Sequence, residues 1–201
     1  MPDGNGAQLH EKEKLAELRR AWEDRPLGAM IDHILDRYHT PLHRDLPGLV
    51  DKIGSARKEL TGPARELDRP LRDLEELLRT DLPDHLRAEE EALFPRIRAH
   101  LRADESRAER GEKAAAPAGG GLRSLGRIQD DHNQIMDMLI ALHAENVLDR
   151  LPETTPAGDD HPLREDLKRL VGDLREHAFL EDEVLFPRAV ALEKRLRNGT
   201  S

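Results

Sequence analysis

A stretch of 12 residues occurs twice in this chain. His85-Leu86-Arg87-Ala88-Glu89-Glu90-Glu91-Ala92-Leu93-Phe94-Pro95-Arg96 returns as His177-Ala178-Phe179-Leu180-Glu181-Asp182-Glu183-Val184-Leu185-Phe186-Pro187-Arg188, 92 residues further on. Each copy reads histidine, three residues, glutamate, an acidic patch and then Leu-Phe-Pro-Arg. A second pair keeps nearly the same offset: His39 follows Asp36-Arg37-Tyr38, and His132, 93 residues later, follows Asp130-Asp131. The chain therefore divides into two halves, and each contributes one lone histidine and one His-xxx-Glu.

What surrounds these residues decides their meaning. Aromatic residues make up only 2% of the chain and charged residues 36%, so its core must be built mainly of leucine on helices. That predicts an all-α bundle, and 201 residues suit one domain with tails. The 32 basic residues are outnumbered by 41 acidic ones, and no long basic run tracks a phosphate backbone, which argues against a nucleic-acid partner. The absence of cysteine excludes disulfides, thiolate metal sites and cysteine nucleophiles together. The N-terminus is polar and no apolar run approaches the roughly 20 residues needed to span a bilayer, so a cytoplasmic protein without membrane contact is expected.

Taken in order, polar, Gly-rich residues 1 to 7 read as disordered. Leu15, Leu18 and Trp22 recur at helical spacing and predict a short additional N-terminal helix over Leu9 to Trp22, packed on the main body. Residues 1–24 thus form a tail and short helix, and 25–198 a four-helix up-down bundle. Its pseudo-repeats are 25–102 and 122–198, joined by a Gly- and Pro-bearing flexible linker over 103–121. The first long helix carries Ile31, Leu35, His39, Leu42, Leu46, Leu49 and Ile53, with kinks expected at Pro41 and Pro47. Gly54 to Pro70 reads as a turn region. The second helix carries Leu71, Leu74, Leu78, Leu82, His85, Glu89, Leu93 and Ile97. The third carries Leu125, Ile128, His132, Ile135, Leu139 and Leu142, and Leu151 to His161 forms the next loop. The fourth carries Leu163, Leu167, Leu170, Leu174, His177, Glu181 and Leu185, with Leu192 and Leu196 beyond Pro187. Every stripe points one histidine inward.

An ionised carboxylate in a leucine core costs several kcal/mol unless it is paired. This sequence buries two among four imidazoles, and metal cations would resolve the conflict. Residues four apart lie on one helix face, so each His-xxx-Glu can present a ring nitrogen and a carboxylate oxygen to the same ion. Four imidazoles and two carboxylates able to bridge suit two metals, on facing helices of a bundle. Imidazole with carboxylate and no thiolate fits iron, ahead of manganese or zinc. The Glu-xx-His pattern of ferritin-like oxidases is reversed here, which disfavours that class. A lone His-xxx-Glu is ordinarily a weak pair on a wet face; two copies on apolar stripes at matching offsets are not. Nearby His43 and His143 read as solvent-edge residues rather than further ligands, and His10, His33, His100 and His161 as surface. Glu90, Glu91, Asp182 and Glu183 read as a solvated face from which one could orient a ligand imidazole. Tyr38, beside His39, reads as core.

These residues resemble the hemerythrin-like, HHE cation-binding family, and within it the di-iron proteins that repair iron centres after nitric oxide and oxidative damage. The resemblance covers about residues 25 to 190. It is carried by Ile31 to His39 with Leu46-Pro47, by His85 to Pro95, by the acidic residues before His132 and by His177 to Arg188. It implies a non-haem site of two oxo- or hydroxo-bridged iron ions ligated by His39, His85, His132 and His177, with Glu89 and Glu181 bridging. Oxygen-carrying hemerythrins bear a second histidine four residues after the third-helix ligand, where this chain has Met136, and their fourth-helix carboxylate lies five residues on rather than four. Repair proteins often carry a small Cys-containing domain, and commonly a histidine between the first and second helix ligands; this sequence matches neither.

The resemblance implies a stress protein acting in nitrosative and oxidative stress and in iron-sulfur or iron-centre repair, with oxygen or nitric oxide as a small diatomic ligand and iron-centre proteins as clients. The alternative is a hemerythrin-like module that binds or senses oxygen or nitric oxide. A third reading, from the enzyme class, is nitric oxide reductase or oxidase chemistry, for which the sequence offers no special proton relay.

Overall fold

The structure is a computed structural model that describes residues 4–110, 122, 125–144, 147–151 and 163–198. Among these the chain is helical apart from short turns, without strands. The N-terminal helix spans Gly4–Trp22. The first rod of the bundle is continuous through Leu27–Ile34, a π-helical turn Leu35–His39 and Thr40–Glu59. A 3₁₀ segment, Gly62–Leu67, leads into the second rod, which runs through Asp68–Glu76, Leu77–Asp81, Leu82–Ala88, Glu89–Leu93 and Phe94–Arg110. The third is Leu125–Ala144, followed by the short Val147–Arg150, and the fourth is Leu163–Leu180, Glu181–Leu185 and Phe186–Asn198.

Several expectations change. Gly4 to Ala7 are helical rather than disordered, and the first rod continues through Gly54 to Glu59 before it turns. The reversal is confined to the residues around Gly62, whose φ of 52° lies in the left-handed region that a glycine adopts without strain. The second rod continues through 103–110, part of the expected linker; 111–121 lie outside the described residues, as do 152–161 of the expected loop.

The expected kink at Pro41 has a definite form, and it recurs. Pro41, Pro83, Pro95 and Pro187 each follow a π-helical turn by two residues. Proline has no N–H to donate, and its ring collides with the carbonyl four residues back. In each case the residue before the proline donates one carbonyl further back: Thr40 to Leu35, Leu82 to Leu77, Phe94 to Glu89 and Phe186 to Glu181. The wider turn absorbs the proline without breaking the rod. Pro47 lies inside Thr40–Glu59 with no such turn. Since a four-residue step overshoots a 3.6-residue turn, widening also keeps Glu89 in line with Leu93, and Glu181 with Leu185. His39 is the last residue of one π turn, and Glu89 and Glu181 each open another.

Neighbouring rods alternate in direction. The end of the first packs on the start of the second, the second faces the third around His85 and His132, and the second and fourth run parallel through Phe94–Arg110 and Phe186–Asn198. Two apolar cores fill the bundle. One gathers Leu42 to Ile53, Leu67 to Leu86, Ile135 to Leu142 and Leu163 to Leu174; the other gathers Trp22 to Tyr38, Leu93 to Ile97, Leu125 and Ile128, and Leu180 to Leu196. The repeated histidines and glutamates form the layer between them. The N-terminal helix lies along the fourth rod, tied by Lys14 to Glu176, Arg175 to Glu11 and Arg19 to Glu183.

Candidate metal centre

His39, His85, Glu89, His132, His177 and Glu181 are all buried, and both carboxylates are fully so. Four rods bring them into two overlapping sets: His39, Glu89, His177 and Glu181, and His85, Glu89, His132 and Glu181, each with ligand atoms within 4.8 Å of one another. Glu89 divides its oxygens between the sets. Oε2 lies 3.4 Å from His39 Nε2 and 4.0 Å from His177 Nε2, and Oε1 lies 3.5 Å from His85 Nε2 and 3.7 Å from His132 Nε2. Glu181 Oε2 lies 3.0 Å from His177 Nε2 and 3.2 Å from His132 Nε2. The two His-xxx-Glu copies thus bring both carboxylates to the middle of the layer.

Whether these residues fit cations is tested by their unmet valences. Both oxygens of Glu89, both of Glu181, and the Nε2 atoms of His85 and His132 are buried without a hydrogen-bond partner. Buried polar atoms are satisfied in the great majority of cases, so six orphans converging on one layer are the mark of a ligand set. His39 Nε2 and His177 Nε2 face each other at 3.0 Å, a further pair of donor atoms aimed at one place. Imidazole and carboxylate without thiolate suit iron, manganese or zinc.

The acidic patch next to each glutamate does more than solvate. Glu90 Oε1 accepts from His39 Nδ1 at 2.8 Å and also from His43 Nε2 at 2.8 Å; Asp182 Oδ2 accepts from His132 Nδ1 at 3.1 Å. A proton fixed on Nδ1 leaves Nε2 to face the centre. The residue after each of these glutamates therefore orients the lone histidine of another rod. The Phe of each Leu-Phe-Pro packs on that same ring: Phe94 on His39 at 5.6 Å between centroids, and Phe186 on His132 at 6.1 Å, stacked. Sequence reasoning missed the phenylalanines, although their recurrence in both copies was the signal. Replacing Glu90 by Gln and Asp182 by Asn is expected to weaken metal affinity about 10- to 100-fold with the fold intact, read by competition with a chelator.

Burial pushes His39 down to about 4 and His85 down to about 3, reinforced by His177 and His132 respectively. Burial and then the charge of Glu181 push Glu89 up to about 8. Burial opposes ionising Glu181, but His177 and His132 outweigh it and hold its carboxyl well below the usual range. Burial likewise opposes charging His132 and His177. It is outweighed by Asp182, Glu181 and Glu89 at the first and by Glu181 at the second, so both are raised. Burial and these neighbours thus favour protons on Glu89, His132 and His177 in the site without metal, and a cation would displace them. Metal uptake should release protons, measurable by calorimetry in buffers of different ionisation enthalpy.

The remaining histidines divide. His43 is exposed and held by Glu90 outside both sets, and His10 is exposed. His100, expected at the surface, is buried because it lies three residues beyond Ile97 and continues the second rod's stripe. His33, also expected at the surface, is half-buried against Trp22, with ring centroids 4.5 Å apart. His161 and the side chain of His143 lie outside the described residues. Met136, at the position of the oxygen carriers' second histidine, packs against the apolar core. Tyr38 is core, as expected, with its ring stacked on His177 at 5.5 Å.

Four antiparallel helical rods enclosing a layer of histidine and glutamate define a class, and the family model described as hemerythrin HHE cation binding domain matches residues 30–189. The chain belongs to this cation-binding family. Among characterised relatives, it is 30% identical over 181 residues to the iron-sulfur cluster repair protein YtfE of Cronobacter sakazakii, covering 88% of this chain and 72% of that protein. It is 29% identical over 189 residues to the iron-sulfur cluster repair protein YtfE of Escherichia coli and to that of Escherichia fergusonii, in each case covering 91% of this chain and 76% of the relative.

Proposed function

We propose that this chain is a non-haem di-iron protein of nitrosative and oxidative stress that repairs iron-sulfur or other iron centres. The observation that carries the reading is the pair of overlapping donor sets sharing both carboxylates, in which each set has two imidazoles and room for one ion. His39 and His177 would hold one iron, His85 and His132 the other, and Glu89 and Glu181 would bridge them. Bound iron supplies redox chemistry and affinity for a small diatomic ligand such as nitric oxide or oxygen. The chain's own residues hold the imidazoles in register through Glu90 and Asp182, and exclude water with the leucine layers on either side.

The repair reading follows the relatives' names and gives iron-sulfur proteins as the clients. It also fits Met136, since the third rod offers the site one histidine where an oxygen carrier has two. Among the described residues no helix is long and apolar enough to cross a membrane, and a cytoplasmic location is part of the proposal. Metal analysis with Mössbauer spectroscopy of the protein as isolated should give about two irons per chain as a coupled pair. Zinc in their place, or uncoupled iron, would sink the di-iron site. Iron-loaded protein mixed with a nitric-oxide-damaged iron-sulfur enzyme should restore that enzyme's activity. A stable, reversible oxygen adduct with no loss of iron would instead select the oxygen-binding alternative.

A further inference from the structure

The chain has one tryptophan and one tyrosine, and the fold sets both in a single row of rings that ends on His177. Trp22 lies 4.5 Å from His33 between ring centroids, His33 lies 5.9 Å from Tyr38, and Tyr38 stacks on His177 at 5.5 Å with the planes only 9° apart. All three separations fall within ordinary aromatic contact. The rings against His39 and His132 are phenylalanines, which do not give up electrons readily, so His177 alone among the four site histidines has an oxidisable ring packed upon it.

The surroundings of the row distinguish its members. The Arg25 guanidinium sits 4.7 Å from the Trp22 ring and that of Arg37 sits 5.1 Å from Tyr38, so a positive charge left on either ring is disfavoured. A neutral radical carries no such penalty. The Tyr38 hydroxyl donates to Glu176 Oε2 at 3.4 Å, and Glu176, paired with Lys14 at 2.5 Å, is placed to accept the phenolic proton as the electron leaves. Trp22, itself buried, and the half-buried His33 form the end of the row away from His177, beside the exposed Arg25.

We propose that Trp22, His33 and Tyr38 form a one-electron relay to the iron ligand His177, a role that rests on the iron reading above. Reduction of hydrogen peroxide to two waters takes two electrons. With a single ferrous ion bound to give one electron, Tyr38 would supply the second, becoming a neutral phenoxyl radical and giving its proton to Glu176, while two protons from solvent complete the cleavage of the O–O bond to two waters. The oxidising equivalent is then shared through His33 between Tyr38 and Trp22, two rings of similar potential with Tyr38 the favoured seat, until one electron from a thiol reductant at the Trp22 end quenches it, instead of escaping into the site as hydroxyl radical.

The full chain without metal tests the row by itself. Pulse radiolysis with azidyl radicals oxidises Trp22, and the tryptophan radical should decay by a first-order process, independent of protein concentration, into a tyrosine radical. Tyr38→Phe should abolish the product and His33→Leu should slow its formation. Decay that depends on protein concentration, or that is unchanged by His33→Leu, would overturn the relay. Protein reconstituted with one ferrous ion per chain and mixed with peroxide should give a tyrosyl signal by freeze-quench paramagnetic resonance, assignable at once because the chain has a single tyrosine. The signal should vanish in Tyr38→Phe at the same iron content and persist longer in Trp22→Phe. Its absence when iron is bound and oxidised would overturn the relay while leaving the iron site standing.

Discussion

Replacing His85 and His177 together by alanine is expected to take the iron content from about two per chain to near zero, since each donor set then keeps only one imidazole. The two residues open the two copies of the repeat and serve different sets, so each single variant should lose chiefly its own ion. Removing buried imidazoles from an otherwise leucine-lined layer costs the cavity and any partner left unpaired, about 1–3 kcal/mol per site. That is less than a domain of this size withstands. Helical circular dichroism should persist while metal analysis finds the protein stripped, which separates a lost site from a lost fold. An unaltered iron content in the double variant would refute the assignment of both sets.

The second large effect concerns protons. Above pH 6.5 an unfolded chain has neutral histidines and ionised glutamates, whereas in the metal-free native site His132 is pushed up to about 12, Glu89 up to about 8, and His177 is shifted in the same direction. All three have native values raised above the unfolded ones. Their contribution is complete below the unfolded value and drains away as pH climbs toward the native one. Each proton held only by the folded state makes stability fall by about 1.4 kcal/mol per pH unit. On the acid side His39 and His85, whose values are depressed, act in the opposite sense, because the unfolded chain takes up protons there that the native site refuses. Urea melts of chelator-stripped protein should therefore show declining stability from pH 6.5 to 8. Bound metal displaces those protons and should flatten the slope; at a thousandfold excess over Kd it should add about 4 kcal/mol, roughly 10 °C in Tm for a chain of this length. Stability that rises with pH in the stripped protein would mean that the native site holds fewer protons there than the unfolded chain, against the shifts at Glu89, His132 and His177 together.

Much of this site was legible before any coordinates. Leucine stripes at helical spacing carried His39, His85, His132 and His177 into the interior, and the duplicated His-xxx-Glu set two carboxylates beside them, because a helix face repeats on a fixed period. The same reasoning failed at His100, where the second rod's stripe simply ran one step further than expected, and at 103–110, where charged residues read as linker although they continue a helix. Proline was read as a kink; the wider turn it adopts depends on which carbonyl the preceding N–H can reach, and that is a matter of backbone geometry.

By itself, then, the sequence determined the class of the fold and singled out the six residues proposed for the centre, since periodicity and repetition are properties of order along the chain. Only the tertiary structure decided their partnership. That His39 shares a set with His177 rather than with His85, that Glu90 and Asp182 turn inward to hold the ring of another rod, and that Trp22, His33 and Tyr38 line up on His177 all depend on how four rods are rotated and staggered against one another. That arrangement is settled by packing across the bundle, between residues far apart in sequence, and no local pattern encodes it. The repeated stretch thus named the candidate ligands of each half, and the packing of the rods gathers them into one layer.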